Sequence, residues 1–316
     1  MADVPITRPG ASSPVRPNAD LLVGAMDNHV HACPHINARS LDVFDAVEDA
    51  AAAGMVALGL MDNFAPTSGY AALARRRLGH LGVDVFGGLI MEPPAGGVSA
   101  EAVRASLAYG YAPGDGARFI SLPTHHTRHI AEQEGRSPAY LEGCLAIPDA
   151  GPLPDPLPEI LDLVAGADVV LNTGHLSGPE AVRVVEAARA AGVTRILVPS
   201  SHYDGRTVAE VVRLGGVAEF SFFFVSHATQ VGLTHVDAAA NTVAPVALAD
   251  MAERIAAAGP DAAILSSDCG VGVLPPPAEG LREFLVLLQH AGVPRDHLRA
   301  MVRDTPRRLF NVPPSE

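Results

Sequence analysis

A distorted (β/α)8 TIM barrel with an N-terminal arm and a C-terminal helix is the fold this sequence predicts, and three observations predict it. Between residue 20 and the C-terminus, short apolar runs alternate eight times with amphipathic stretches. The apolar runs are nearly unbroken, as expected of parallel strands covered by helices. The roughly 240 residues from His29 to Asp268 amount to about 34 per unit, close to the spacing of a barrel of ~250 residues. An open doubly wound sheet is the alternative, but the first strand–helix turn lacks G-x-G-x-x-G.

The elements follow in order. LLVGAMDNHVHA reads as strand 1. The next segment, SLDVFDAVEDAAAAGM, repeats Leu41, Phe44 and Val47 at helical spacing. MVALGLMDN and AALARRRLGHL form the second pair, DVFGGLIME and SAEAVRASLAY the third. RFISLPTHH is strand 4, separated by a Pro-rich insertion at 131–158 from the helix in PEILDLVAGA. DVVLNTGH, RILVPSSH, EFSFFFVSH and AAILSSD are strands 5 to 8, each followed by an amphipathic stretch, and PRDHLRAMVRDTPRRLF is a closing helix. Residues 1–20 read as an arm and 21–316 as one domain.

Composition narrows the function classes. A net charge of −13 argues against nucleic acid or an anionic membrane as partner. No apolar run reaches the ~18–20 residues of a membrane span. The N-terminus has no apolar signal core, and three cysteines make no disulfide framework, so a cytoplasmic location is expected. The expected partner is a small-molecule substrate, and a homo-oligomer is compatible with the sequence. The chain contains no lysine: all 22 basic residues are arginine. That excludes a Walker-type phosphate loop, a Schiff-base mechanism and a carboxylated lysine.

Barrel enzymes carry their chemistry at the C-terminal strand ends, and those positions here are polar. Strand 1 ends in Asp27, His29 and His31, strand 3 at Glu92, and strand 4 at Thr124, His125 and His126, with His129 just beyond. His175, His202, His227 and Asp268 end strands 5 to 8. Side chains at i and i+2 of a strand share a face, so His29 and His31 can both aim into the mouth. Imidazoles with a carboxylate suit a divalent transition metal in an open, catalytic site. Cys33 and Cys269 read as small buried thiols. His35, His80, His235, His290 and His297 read as surface or helix residues.

With DNHVH, NTGH, PSSH and SSDCG at these strand ends, the sequence resembles the amidohydrolase superfamily of metal-dependent barrel hydrolases across 22–312. The resemblance implies His29, His31 and Asp268 as metal ligands. His175 would be a third imidazole or a ligand of a second metal, and His202 a second-metal ligand or substrate-polarising group. Many binuclear members bridge their metals through a strand-4 lysine, which this chain lacks. One ion is therefore expected, zinc first, with iron or manganese as alternatives. The implied reaction is hydrolysis of a C–N or C–O bond in a cyclic amide, amide or lactone by a metal-activated water. Asp268 would move the proton and His202 would stabilise the oxyanion. His125, His126, Glu92, Tyr203, His227 and Arg128 are the candidate substrate contacts. Non-oxidative decarboxylation is the alternative, calling for an arginine in the pocket, with Arg128 and Arg206 as candidates. A phosphoesterase in a His-rich barrel of another family, or a barrel that only binds a ligand, rank lower.

Overall fold

The computed structural model describes residues 16–231, 233–234 and 240–313. The arm as far as residue 15, and His235, lie outside them. Eight parallel strands pair in chain order: β1 (Met26–Val30), β2 (Ala57–Leu60), β3 (Asp84–Ile90), β4 (Phe119–Ser121), β5 (Val170–Asn172), β6 (Ile196–Pro199), β7 (Val217–Ser221) and β8 (Ala263–Ser266). The ring closes between β8 and β1. There the Asp268 amide donates to His29 O at 3.0 Å and the His31 amide to Cys269 O at 2.8 Å. The long helices following the strands are α1 (Val43–Ala52), α2 (Ser68–Leu78), α3 (Ala100–Ala108), α4 (Leu157–Ala167), α5 (Gly178–Ala190), α6 (Gly205–Arg213), α7 (Leu248–Ala258) and α8 (Pro277–His290). The molecule is a (β/α)8 barrel. Among the described residues no helix is long and apolar enough to cross a membrane.

The pleat divides the core in two. Met26, Ala57, Phe86, Phe119, Val170, Leu197, Val217 and Ile264, one from each strand, pack inside the ring. Leu309, Phe310 and Val312 plug it from below, with the Phe86 and Phe310 rings 4.7 Å apart. Arg118 and Arg195 hold that plug through the carbonyls of Phe310, Arg308 and Leu309. The outward residues, Val85, Ile120, Leu171, Val198, Phe220 and Leu265 among them, form a larger core against the helices. With the interior closed by apolar side chains below, ligand access is from the C-terminal face.

Three local differences from the expected elements bear on the site. In β1 the register with β2 runs 26 to 57, 27 to 58 and then 30 to 60, so β1 carries one extra residue. A bulge of this kind flips the parity of the pleat. Met26 lies in the inner core and Val30 in the outer, although they are four positions apart. In β7 the strand ends at Ser221 and does not reach His227. Phe222, Phe223 and Phe224, all buried, continue the chain in 3-10 geometry. In the 131–158 region, Arg128–Gln133 and Pro138–Glu142 are short helices, followed by irregular chain up to α4. Glu180 ties this segment down: its carboxylate accepts from the Ser177 amide in an α5 capping box and from the Ile147 amide. Residues 16–20 lie along the last helices, through Arg16–Glu279 and Arg282 to Pro17 O.

The closing seam depends on a glycine. Gly270 has φ +124°, and a Cβ there would lie 1.5 Å from His31 O. Gly270→Ala is therefore expected to cost more than about 2 kcal/mol in urea unfolding. Gly272→Ala, where a Cβ meets nothing within 4 Å, should stay within about 0.5 kcal/mol. Equal effects at the two positions would contradict a close-packed seam.

Candidate metal centre

Above the apolar layer the barrel interior becomes polar. His29 and His31 are 9% and 8% exposed, and their rings lie 5.2 Å apart. Both aim Nε2 at one oxygen: Asp268 Oδ1 is 3.4 Å from His29 Nε2 and 3.2 Å from His31 Nε2. One donor atom from each of the three residues lies within 4.8 Å of the others, the single such His/Cys/Asp/Glu group among the described residues. Asp268 adopts the left-handed conformation, φ 51°, which Asp tolerates better than most residues. It reaches that position through the closing hydrogen bond to His29 O, so the seam of the barrel also fixes the cluster.

Behind His29 stands Glu219 of β7, 1% exposed. Its Oε1 accepts from Asn28 Nδ2 at 2.6 Å and lies 3.3 Å from His29 Nδ1. Because of the bulge, the consecutive residues Asn28 and His29 both meet this carboxylate. A carboxylate beside Nδ1 keeps a proton there, so the Nε2 position facing Asp268 is the one that takes a second proton or a metal. An imidazole nitrogen facing an anionic oxygen calls for a cation between them. Two imidazole nitrogens and a carboxylate oxygen fit a divalent metal, and three protein donors leave positions open.

The electrostatics agree. Burial opposes a charge on His29, yet Asp268 and Glu219 outweigh it and hold its pKa up to about 9. Burial brings His31 down to about 4, with Arg39 adding to the effect. Burial would raise Asp268, but His29 and His31 hold it below its ordinary value, so it is a carboxylate at neutral pH. Burial lifts Asp27 to about 7. Its Oδ1 accepts from the amides of His29 and Ser267 and braces β1 against β8.

The remaining sequence candidates divide. His175, in the turn after β5, lies outside the three-donor group. Its amide donates to Pro123 O, its ring is 6.4 Å from that of His125, and burial takes its pKa down to about 3. Asp268 and His29 still act on it electrostatically, so it borders the same mouth. His202 is outside the group as well, with Nε2 2.8 Å from Ala244 O and its ring against Phe224. Nε2–H donates to that carbonyl, so Nδ1 is left without a proton and His202 cannot donate to an oxyanion in this position. Glu92 has a structural part through one oxygen: its Oε1 accepts from the amides of Thr124, His125 and His126 and holds the strand-4 loop. Tyr203 is a correction of the same kind, since its hydroxyl is buried and donates to Leu176 O. His227 lies beyond β7 with Nε2 2.9 Å from Val273 O. Arg128 is exposed on its short helix. His126 stacks edge-on against Tyr140 and His125 approaches Glu134, both at the rim.

Sequence reasoning missed Glu219, Asp62, His35 and Arg39. The His35 side chain is wholly buried, not a surface group, and its Nε2 lies 3.4 Å from Asp62 Oδ1. The one signal for Glu219 was its position, inward between Val217 and Ser221 on an apolar strand.

A (β/α)8 barrel with a buried His-His-Asp donor set at its C-terminal face defines the architectural class of this molecule. The chain belongs to a family of unknown function, DUF6282, whose sequence model matches residues 24–219. Asp268 and β8 therefore lie beyond the matched segment. No curated protein matches the chain in sequence. Among solved structures it resembles an amidohydrolase from Pseudomonas aeruginosa at 12% identity and TM-score 0.55, covering 93% of this chain and 98% of that one. A mutant PTE-like lactonase from Deinococcus radiodurans gives 17% and 0.52, with 91% and 96% covered. An organophosphorus hydrolase from the same organism gives 16% and 0.53, with 91% and 92% covered. These likenesses establish the fold.

Two outcomes follow from the site. Glu219→Gln keeps the volume and removes the anion behind His29, so zinc affinity should fall by about 10–100-fold in chelator competition. Because His29 stays protonated up to about pH 9, zinc loading at pH 7 should release about one proton per ion, and affinity should weaken as pH falls. Calorimetry in buffers of different ionisation enthalpy reads the proton count.

Proposed function

We propose that this protein is a metal-dependent hydrolase of small molecules, using one divalent ion, zinc first, to cleave the C–N or C–O bond of a cyclic amide, amide or lactone. The observation that carries this reading is the convergence of His29 Nε2 and His31 Nε2 on Asp268 Oδ1 at the C-terminal face of the barrel. The structural neighbours include an amidohydrolase and a lactonase, which agrees with it.

His29, His31 and Asp268 would hold the ion, which when bound supplies Lewis acidity and makes water acidic enough to ionise near neutral pH. Asp268, a carboxylate at neutral pH, accepts the proton of the attacking water and returns it to the leaving nitrogen or oxygen. Glu219 fixes the tautomer and orientation of His29 throughout. His175 takes the polarising role first given to His202: burial keeps it neutral, and a neutral imidazole can donate a hydrogen bond to the substrate oxygen. Non-oxidative decarboxylation is the second reading. It gains from one observation, an arginine, Arg39, beside the donor set.

The test is turnover of a panel of lactones and cyclic amides by the zinc-loaded full chain. Asp268→Asn should lower kcat by about 100-fold or more, and His175→Gln should lower it with metal content unchanged. Release of carbon dioxide from carboxylated substrates, with lactones and amides untouched, would replace hydrolysis by the second reading.

A further inference from the structure

Arg39 lies on the chain that runs from β1 to α1, immediately behind the donor set. Its backbone bridges to Val271, and the next amide, of Ser40, donates to Gly270 O at 2.9 Å, so the segment is sewn to the turn that carries Asp268. The guanidinium is largely withdrawn from solvent and lies in the field of the Asp62 and Asp268 carboxylates. Among the described residues its Nε is buried with no hydrogen-bond partner.

The contact that Arg39 does make is a poor one. Nη2 lies 2.6 Å from His35 Nε2. The Asn37 amide donates to His35 Nδ1 at 2.9 Å, so that nitrogen is the acceptor of the neutral ring. Nε2 must then carry the proton, which suits its approach to Asp62 Oδ1 at 3.4 Å. The arginine thus sets a donor against a donor. A guanidinium has five N–H groups and no acceptor capacity, and among the described residues this one lacks a well-matched acceptor although the field of two carboxylates favours its charge.

We propose that Arg39 is the anchor for a carboxylate on the substrate, so that the substrate of this site is a small carboxylic acid carrying the scissile group within reach of His29, His31 and Asp268. The inference rests on the metal-site reading above. A planar carboxylate matches the fork of a guanidinium with two parallel hydrogen bonds. Phosphate fits less well. The Asp62 and Asp268 carboxylates act on Arg39 and the chain has no lysine, so apart from the metal a dianion at the guanidinium would meet two carboxylates with one cation to offset them. Arg128 and Arg206, the arginines the sequence suggests for this role, are both exposed, Arg206 in the first turn of α6.

The test uses the full chain loaded with cobalt(II), whose visible spectrum reports ligands arriving at the site. Wild type, Arg39→Met and Arg39→Lys are titrated with acetate, with the neutral isostere acetamide and with inorganic phosphate, after cobalt content and thermal unfolding have been compared. The expected result is full cobalt loading in all three, with acetate binding weakened about tenfold or more in Arg39→Met. Arg39→Lys should fall between, acetamide should not distinguish the proteins, and acetate should bind wild type more tightly than phosphate does. Arg39→Lys keeps the charge, so it remains informative if the methionine variant folds poorly. Acetate binding equal in all three proteins would overturn the anchor while leaving the metal site standing. Arg39-dependent preference for phosphate would overturn the carboxylate assignment. Failure of wild type to take up cobalt would overturn the metal-site reading and the anchor with it.

Discussion

The seam between β8 and β1 is the constraint from which the rest of the structure follows. A parallel barrel must join its last strand to its first, and here the joining hydrogen bonds come from the residues that make the site. The Asp268 amide binds His29 O, the His31 amide binds Cys269 O, and Asp27 accepts from the His29 and Ser267 amides. Each buried backbone bond contributes about 1 kcal/mol net, while an unpaired group costs more. Opening the seam therefore destabilises the barrel and separates Asp268 from the two imidazoles in one step. Fold and donor geometry are held by the same interactions.

Glu219 extends that logic into the interior. A buried carboxylate is costly unless it is hydrogen-bonded; this one is bonded at Oε1 by Asn28 and His29, while Oε2 is buried without a partner among the described residues. The bulge in β1 allows both residues to reach it. Below lies a layer of Met, Ala, Val, Leu, Ile and Phe side chains sealed by Leu309 and Phe310, and above lies the mouth. The apolar layer keeps water from approaching from beneath, which strengthens the field of Glu219 and Asp268 on His29. The outcome is a place where positive charge is favoured and protein nitrogens already converge.

Much of the fold was legible in the sequence, because strand and helix periodicities in a (β/α)8 barrel are local and repeat eight times. His29, His31 and Asp268 were legible for the same reason: chemistry sits at strand ends, and those ends could be counted. His175 and His202 also sit at strand ends, yet a side chain's partner there depends on loop geometry. For His202 that partner is Ala244 O, on a segment more than forty residues away. Glu92 and Tyr203 looked equally functional, but one closes a loop through three amides and the other ties to Leu176. Glu219 and Arg39 went unread because their meaning comes from neighbours across the barrel, and the β1 bulge because a single extra residue leaves no mark in composition.

The central claim, that two imidazoles and a carboxylate make one metal centre, is tested most directly by X-ray absorption on the zinc-loaded chain. The account predicts a shell of nitrogen and oxygen at ~2.0–2.1 Å with the outer scattering of two imidazole rings. Cys33 and Cys269 each neighbour a proposed ligand, so sulfur at ~2.3 Å in that shell, or a shell without imidazole, would contradict it.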